Sequence, residues 1–463
     1  MPARFVNIDH DTPLLLPPDL RAWVPADHLV HFLMDAVGEL DLRGAKVNER
    51  GTGDAQYPPC LMLGLLIYSY ATGVFSSRQI ERSTYENVAA RLLCADTHPD
   101  HDTLCEFRRA NHGLLTRSFA QVIEMSARCG VLKVGGITVA IDGTKVLANA
   151  SKHSAASHER AGELMRELDL EIEELLRKAE DADSTPLEDG LSIPEEVQRR
   201  QQRKAQLAKA RAEIEARAQA RAALERAEYE SKLAAREAVR EQGRKPRGQE
   251  PQPPSATPGP QEQYNFTDPE SRIMPVSGGG FAQCYNAQAA VEVQSRIIVG
   301  ERVSNAPNDK QQLEPTLGAV VPAAGPVDEV LIDSGFVSEA AVGAVETRPD
   351  GRPSGVRVLA AMGRARHGRR VRDLEKKADP EPPAPDAPWT ERMAHRVATK
   401  AGRARYRLRQ ETVEPIFGIL KSALGFRSFR LRGQAGAALE WTLVTLAYNL
   451  RRLHRLGAQL RAA

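Results

Sequence analysis

ITVAIDGTKVL, residues 137–147, sets an apolar, β-branched run against a single carboxylate. Ile137, Val139 and Ile141 are residue types of a buried strand, whereas Asp142 is among the side chains least tolerated in one without a partner. The strand is read as ending at Asp142, which is followed at once by glycine and a small polar residue. Aspartate before glycine is by itself ordinary turn chemistry, so the pattern gains meaning only through repetition. In DEVLIDSGFVSEAAV, residues 328–342, the run Val-Leu-Ile ends on Asp333, Ser-Gly comes next, and a helix is expected from about Ser338. A third carboxylate lies in YRLRQETVEPIFGILKSALGFRSFRLRG, residues 406–433, where Glu414 stands before Pro415. Pro415 suits a first helical turn and Gly425 a stop. A helix is therefore expected between them, with Ile416, Ile419, Leu420 and Ala423 toward a core. Glu414 and Lys421, seven apart, then share one face.

The chain around these segments divides by pattern. Residues 15 to about 130 read as helical, because apolar residues recur at three and four in HLVHFLMDAVGELDL (28–42), PPCLMLGLLIYSYATGV (58–74) and HGLLTRSFAQVIEMSARCG (112–130). Pro58 and Pro59 suit a helix start and Gly130 a stop. From about 155 to 245 the sequence is rich in Ala, Glu, Arg, Leu and Gln with nearly balanced charge. That composition predicts long solvated helices, an antiparallel pair broken near DADSTPLEDGLSIPEE (181–196). The prolines and glycines of GRKPRGQEPQPPSATPGPQEQ (243–263) then forbid regular structure. YNAQAAVEVQSRIIVGERVSN (285–305) predicts a hairpin turning near Gln294 and Ser295. Asp309 is read as capping the next helix in preference to being an additional acidic group, Asp328 as a loop residue, and Trp441 and Tyr448 as core of an apolar helix.

At 463 residues the chain exceeds one ordinary domain. Its net charge of +2 conceals a strong asymmetry: between Arg352 and Arg432 stand 20 Lys and Arg against 8 Asp and Glu. Such a local excess points to a polyanionic partner. The five scattered cysteines include no Cys-x-x-Cys pair, which argues against a disulfide framework or a zinc site and for a reducing cytoplasm. His98 and His101 lack a convincing set of partners and are assigned no site. The start, MPARFVNIDHDT, lacks the apolar core of a signal peptide, and LMLGLLIYSYATGV (61–74) is too short to span a bilayer, so a soluble protein is expected.

Carboxylates at strand ends and on a nearby helix are expensive to desolvate unless something positive sits among them. Oxygen ligands without a His-Cys cluster suit Mg²⁺ or Mn²⁺. Two such ions can activate a water or a 3′-hydroxyl and stabilise the leaving oxygen of a phosphodiester. The basic run around Glu414 would hold the backbone beside them.

These three segments, with QYPPCLMLGLLIYSYATGVFSSRQIE (56–81), TDPESRIMPVSGGGFAQCYNAQAAV (267–291) and LAYNLRRL (446–453), resemble the DDE transposases of bacterial insertion sequences, within the RNase H-like, retroviral-integrase superfamily. The resemblance covers roughly residues 15–455, the charged insert aside. It implies an α/β fold: an RNase H-like mixed sheet with flanking helices at residues 131–154 and 256–463, interrupted by a charged helical insert and linker at 155–255. An all-helical DNA-binding domain at 1–130 precedes it. It implies metal ligation and catalysis by Asp142, Asp333 and Glu414, and a phosphate contact by Lys421. Many relatives carry tyrosine and arginine seven and four before the glutamate; here Arg407 and Gln410 hold those positions, and Tyr406 and Arg409 sit one residue earlier. Tyr406, Arg409, Arg427, Arg430 and Arg432 join Lys421 as expected DNA-binding residues. The implied activity is metal-dependent cleavage and joining of double-stranded DNA at terminal inverted repeats. A homo-oligomer on DNA, in the nucleoid-bearing cytoplasm and not in a membrane, would perform it. A DNA-binding protein that has lost turnover and an RNase H-like nuclease that cuts without joining remain the alternatives.

Overall fold

The strand read from residues 137–147 does not stop at its carboxylate. In a computed structural model, β1 runs unbroken over Ile137–Leu147. The structure describes residues 19–47, 56–133, 135–181, 192–362 and 379–460, apart from 242, 244, 247, 248, 260, 261, 277, 385 and 459. The break expected near 181–196 and much of the basic run at 363–378 therefore fall largely outside the described residues. Contacts divide the chain into two units, Met1–Val146 with Asn286–Ala463, and Leu147–Tyr285.

The first unit begins with helices α1 (Leu20–Trp23), α2 (Leu29–Gly38), α3 (Pro59–Ala71), α4 (Ser77–Glu86), α5 (Val88–Leu93), α6 (His101–Ala110) and α7 (His112–Arg128). Helix α3 starts on the predicted proline, whose missing N–H is no loss at a first helical position. After β1 the unit resumes within β5 (Phe281–Glu292) and β6 (Ile298–Ser304), the predicted hairpin, paired antiparallel with Asn286 opposite Ser304. Parallel strands β7 (Val327–Ile332) and β8 (Arg357–Ala360) complete the sheet, with Ala140 opposite Leu331 and Leu331 opposite Leu359. Strand β5 runs against β1, bonded from Val293 N to Thr138 O and from Ala148 N to Gln283 O. The sheet order is β6-β5-β1-β7-β8, so strands numbered by appearance stand 3-2-1-4-5. Val139, Ala140 and Ile141 on the central strand are fully buried, as expected where both faces are covered.

Helices α11 (Glu339–Glu346, capped by Ser338), α12 (Trp389–Ala398), α13 (Lys400–Gly418) and α14 (Gly433–Arg455) come after the strands, α11 lying between β7 and β8 and the rest after β8; the short α10 (Leu313–Leu317) precedes β7. Every residue from Leu439 to Leu450 in α14 is buried, because the helix lies between β6 and the N-terminal helices α2, α3 and α7. Trp441 is core, its indole N–H donating to Gln288 O at 3.0 Å. Glu440 is buried too. It accepts from Tyr70 Oη at 2.9 Å and from Arg430 N at 2.6 Å, while Arg108 donates to the same tyrosine oxygen at 2.8 Å.

The second unit holds α8 (His158–Asp181) and α9 (Ile193–Glu241), with β2 (Ala155–Ser157) paired to β3 (Gln263–Asn265). His158 meets Glu215 at 2.9 Å and Glu171 meets Arg200 at 2.7 Å, which makes the pair antiparallel as expected. Ala161 and Leu207 meet in the seam, Ala210 and Ile214 pack with Tyr264 of β3, and Leu170 and Leu224 are exposed. Strand β4 (Arg272–Pro275) pairs antiparallel with the first residues of β5 in this unit. Among the described residues no helix is long and apolar enough to cross a membrane.

Two local expectations are corrected. Pro415 does not begin a helix: α13 starts fifteen residues earlier, where Thr399 Oγ1 accepts from Gly402 N at 3.0 Å. A side chain at Gly402 would lie 1.8 Å from Arg396 O, so glycine is required there. The ring at Pro415 removes one hydrogen bond near the helix end, and the chain then widens into a π turn over Ile419–Ala423. The turn leaves Ala423 exposed and Ile419 half-buried, while Ile416 and Leu420 reach the core.

Candidate active site

Asp142 projects from the middle of the central strand, Asp333 comes directly after the last residue of β7, and Glu414 lies in the last turn and a half of α13. The structure brings all three to one side chain. Arg409, on α13, places Nη2 3.0 Å from Asp142 Oδ2 and 3.7 Å from Asp333 Oδ2, and Nη1 3.6 Å from Glu414 Oε1. Arg409 is 7 % exposed, so it stands inside the acidic cluster and not on an outer face toward a phosphate. Tyr406 donates from Oη to Ile332 O at 3.1 Å. That bond fastens α13 to the end of β7, next to Asp333.

Asp142 and Arg409 form the sheltered half of the cluster, with side chains 16 % and 9 % exposed, whereas Asp333 and Glu414 are 39 % and 58 % exposed. Burial, aided by Asp333 and Asp309, raises the Asp142 carboxyl to about 6 against the pull of Arg409 and of Gly143 N–H. One guanidinium thus leaves negative charge uncompensated among three carboxylates.

Gly143 is not a turn residue. It continues β1, and a Cβ there would lie 2.3 Å from Gln288 Nε2, 2.7 Å from Asp309 Oδ1 and 2.9 Å from Asn286 Oδ1. The glycine after Asp142 is needed for close approach. Asp309 also departs from expectation, because its carboxylate does not cap α10. Oδ1 accepts from Asn286 Nδ2 at 2.7 Å and Gln288 Nε2 at 2.6 Å, both on β5. Asn286 and Gln288 are fully buried, and among the described residues their amide oxygens have no hydrogen-bond partner.

Lys421 lies in the π turn and donates from Nζ to Lys145 O at 2.6 Å, on the strand of Asp142. Arg427 donates to Lys421 O at 3.2 Å, Arg430 places its backbone N–H on Glu440, and exposed Arg432 precedes α14. Asp328 lies on β7 and is exposed, facing Gly136. His101 is held by Glu81 at 2.8 Å, and His98 stacks on Tyr85. None of the five cysteines is in a disulfide.

The donor set fits a hard divalent cation, being entirely oxygen, partly solvent-accessible and net negative. Among the described residues no three His, Cys, Asp or Glu side chains converge directly on one point; Arg409 stands between the carboxylates. Sequence reasoning set Asp309 aside as a helix cap and missed Asn286 and Gln288. Their only signal was the polar pair Asn286 and Gln288 at period two in an otherwise apolar strand.

A mixed sheet that presents carboxylates from its central strand, a parallel neighbour and a crossing helix defines an α/β chain with an acidic site. Residues 18–110 match the family described as Transposase domain (DUF772), and residues 385–454, which carry Arg409, Glu414 and Lys421, match the family described as Transposase DDE domain. The two matches support an insertion-sequence DDE transposase. No curated protein and no solved structure matches it.

Proposed function

We propose that the chain cleaves and joins DNA at the ends of an insertion sequence, with Asp142, Asp333 and Glu414 as the catalytic acids of an RNase H-like domain. The observation that carries this reading is the meeting of the three acids, 191 and 81 residues apart in sequence, around Arg409. The 3-2-1-4-5 strand order, with the second and third strands forming an antiparallel hairpin, supports the RNase H-like assignment. The proposed functional limits are those read from sequence: a DNA-binding region at 1–130, the catalytic region at 131–154 and 256–463, and an accessory insert at 155–255.

Asp142, Asp333 and Glu414 would hold Mg²⁺ or Mn²⁺. When bound, such ions would supply charge for the attacking and leaving oxygens of the phosphodiester. The chain's own part is positional. Arg409 keeps the sheltered carboxylate of Asp142 charged and turned toward Asp333 and Glu414. Gly143 lets the polar side chains of β5 close beneath it. Tyr406 holds α13 to β7, which fixes the distance between the second and third acids. Lys421, with Arg427, Arg430 and Arg432, would take the DNA backbone, and inverted repeats bound by a homo-oligomer are the proposed substrate. The test is strand cleavage by the full chain with Mg²⁺ on DNA carrying the element's ends. Asp142→Asn, Asp333→Asn and Glu414→Gln should each abolish it while binding is retained, and parental cleavage by any one removes that residue from the site.

A further inference from the structure

A second charged feature lies on the far side of Glu414, among residues with no part in the acidic site. Pro415, Ile416 and Ile419 form one wall of a shallow cleft whose other lining residues are Tyr448 and four arginines, Arg296, Arg451, Arg452 and Arg455. Three come from the last turns of α14 and the fourth from the β5–β6 turn. The helix C-terminus alone explains basic residues in α14 through its dipole, but it does not explain Arg296.

Arg296 adopts φ +61°, a left-handed backbone that a residue with a long side chain rarely takes. The turn is held there: Glu292 accepts from Gln294 N at 3.0 Å and from Ser295 N at 2.6 Å, and Tyr448 donates from Oη to Arg296 O at 3.1 Å. Strain maintained by surrounding bonds is a mark of a functional position. Arg452 donates to Ser295 O at 2.9 Å and Arg451 to Ala71 O at 2.7 Å, so two guanidiniums are fixed by carbonyls, not carboxylates. Around the Tyr448 hydroxyl the neighbouring charges are Arg452, Arg296 and Arg455. Burial and then Arg455 push the Arg451 guanidinium down, with no carboxylate acting against them. Like charges gathered over an apolar floor repel one another at rest, and an anion would relieve them.

We propose that Arg296, Arg451, Arg452 and Arg455 form a cleft that grips a backbone phosphate of duplex DNA passing Glu414. The assignment rests on the proposed DNA-processing function and extends it to residues outside the 406–433 basic run. A planar guanidinium cluster suits phosphate oxygens, and a phosphate contact positions the duplex without reading its sequence.

The test is the affinity of the full chain for a random-sequence duplex, measured by fluorescence anisotropy across a salt series. Arg455→Gln and Arg296→Asn are the variants, because neither side chain holds a carbonyl and asparagine accepts the left-handed backbone. Each should flatten the slope of log affinity against log salt by about 0.9, the value for one duplex phosphate contact, and weaken binding several-fold at low salt. Arg455→Lys should keep the parental slope. Parental slopes in both charge-removing variants, with the parent itself salt-sensitive, would overturn the cleft and leave the carboxylate site standing. A parent that binds duplex without salt dependence would overturn the cleft together with the phosphate contacts proposed for Lys421, Arg427, Arg430 and Arg432. Arg455 is exposed on the last helical turn, so its variant tests the proposal even if Arg296→Asn fails to fold.

Discussion

Removing Arg409 should cost the protein more than removing any surface charge, and the structure says how much and at what pH. The Arg409–Asp142 contact at 3.0 Å joins two side chains less than a fifth exposed. At an effective dielectric of about 20 its gross attraction is roughly 5 kcal/mol. The partners Asp333 and Glu414 lie at 3.7 and 3.6 Å but are 39 % and 58 % exposed, so solvent screens most of their share. Deleting one member of a sheltered pair strands the other, which typically costs about 3–5 kcal/mol. Arg409→Ala in metal-free buffer should therefore lose about 3 kcal/mol of unfolding free energy near pH 8. The loss should shrink toward pH 5. Asp142 already sits near 6 in the parent, above its unfolded value of about 3.9, so stability falls as pH rises through that window. Without Arg409 the folded value climbs further, and below it the carboxyl is neutral and needs no partner. Urea unfolding followed through buried Trp441 in the same unit would read this, since urea leaves charges unscreened. Asp142→Asn in the Arg409→Ala background should restore most of the loss. An Arg409→Ala protein as stable as the parent at pH 8, or a double variant no better than the single, would refute the reasoning.

Other expectations rest on single contacts. Gly143→Ala drives a methyl onto Gln288 and Asp309; it should destabilise by about 1–3 kcal/mol and abolish cleavage while duplex binding persists, checked by unfolding and by nicking assays. Tyr70→Phe removes the hydroxyl between buried Arg108 and Glu440 and should cost about 1–3 kcal/mol in thermal unfolding, with Glu440→Gln at least as severe. Burial pushes the Glu301 carboxyl, which accepts from Thr442 Oγ1 at 2.6 Å, up to about 7. Its contribution is complete below about pH 4 and is lost as pH rises through 7, so Glu301→Gln should flatten the fall in stability between about pH 5 and 8.

Much of the fold was legible because it is written locally. The hairpin at 285–305, the strand ending on Asp333, the start of α3 at Pro59 and the paired helices of the insert all arise from period, capping and charge within a short window. What was not legible depends on residues far apart in sequence. Asp-Gly at 142–143 looks like a turn until Gln288 and Asp309 are seen pressing on the glycine. Asp309 looks like a cap because the amides that claim it lie more than twenty residues upstream. Arg409 looks like one more basic residue of a DNA-facing run; only the crossing of α13 over β1 and β7 puts it among three acids. Pro415 misled for the opposite reason, since a local signal for a helix start was overridden by a helix already capped at Thr399.

The most direct measurement is Mg²⁺-dependent cleavage of DNA bearing the element's ends by the full chain, run beside Asp142→Asn, Asp333→Asn and Glu414→Gln under conditions where all four proteins bind that DNA equally. Cleavage by the parent alone is the predicted result. Cleavage near the parental rate by any of the three variants, or by the parent with Mg²⁺ and Mn²⁺ both removed, would contradict the account.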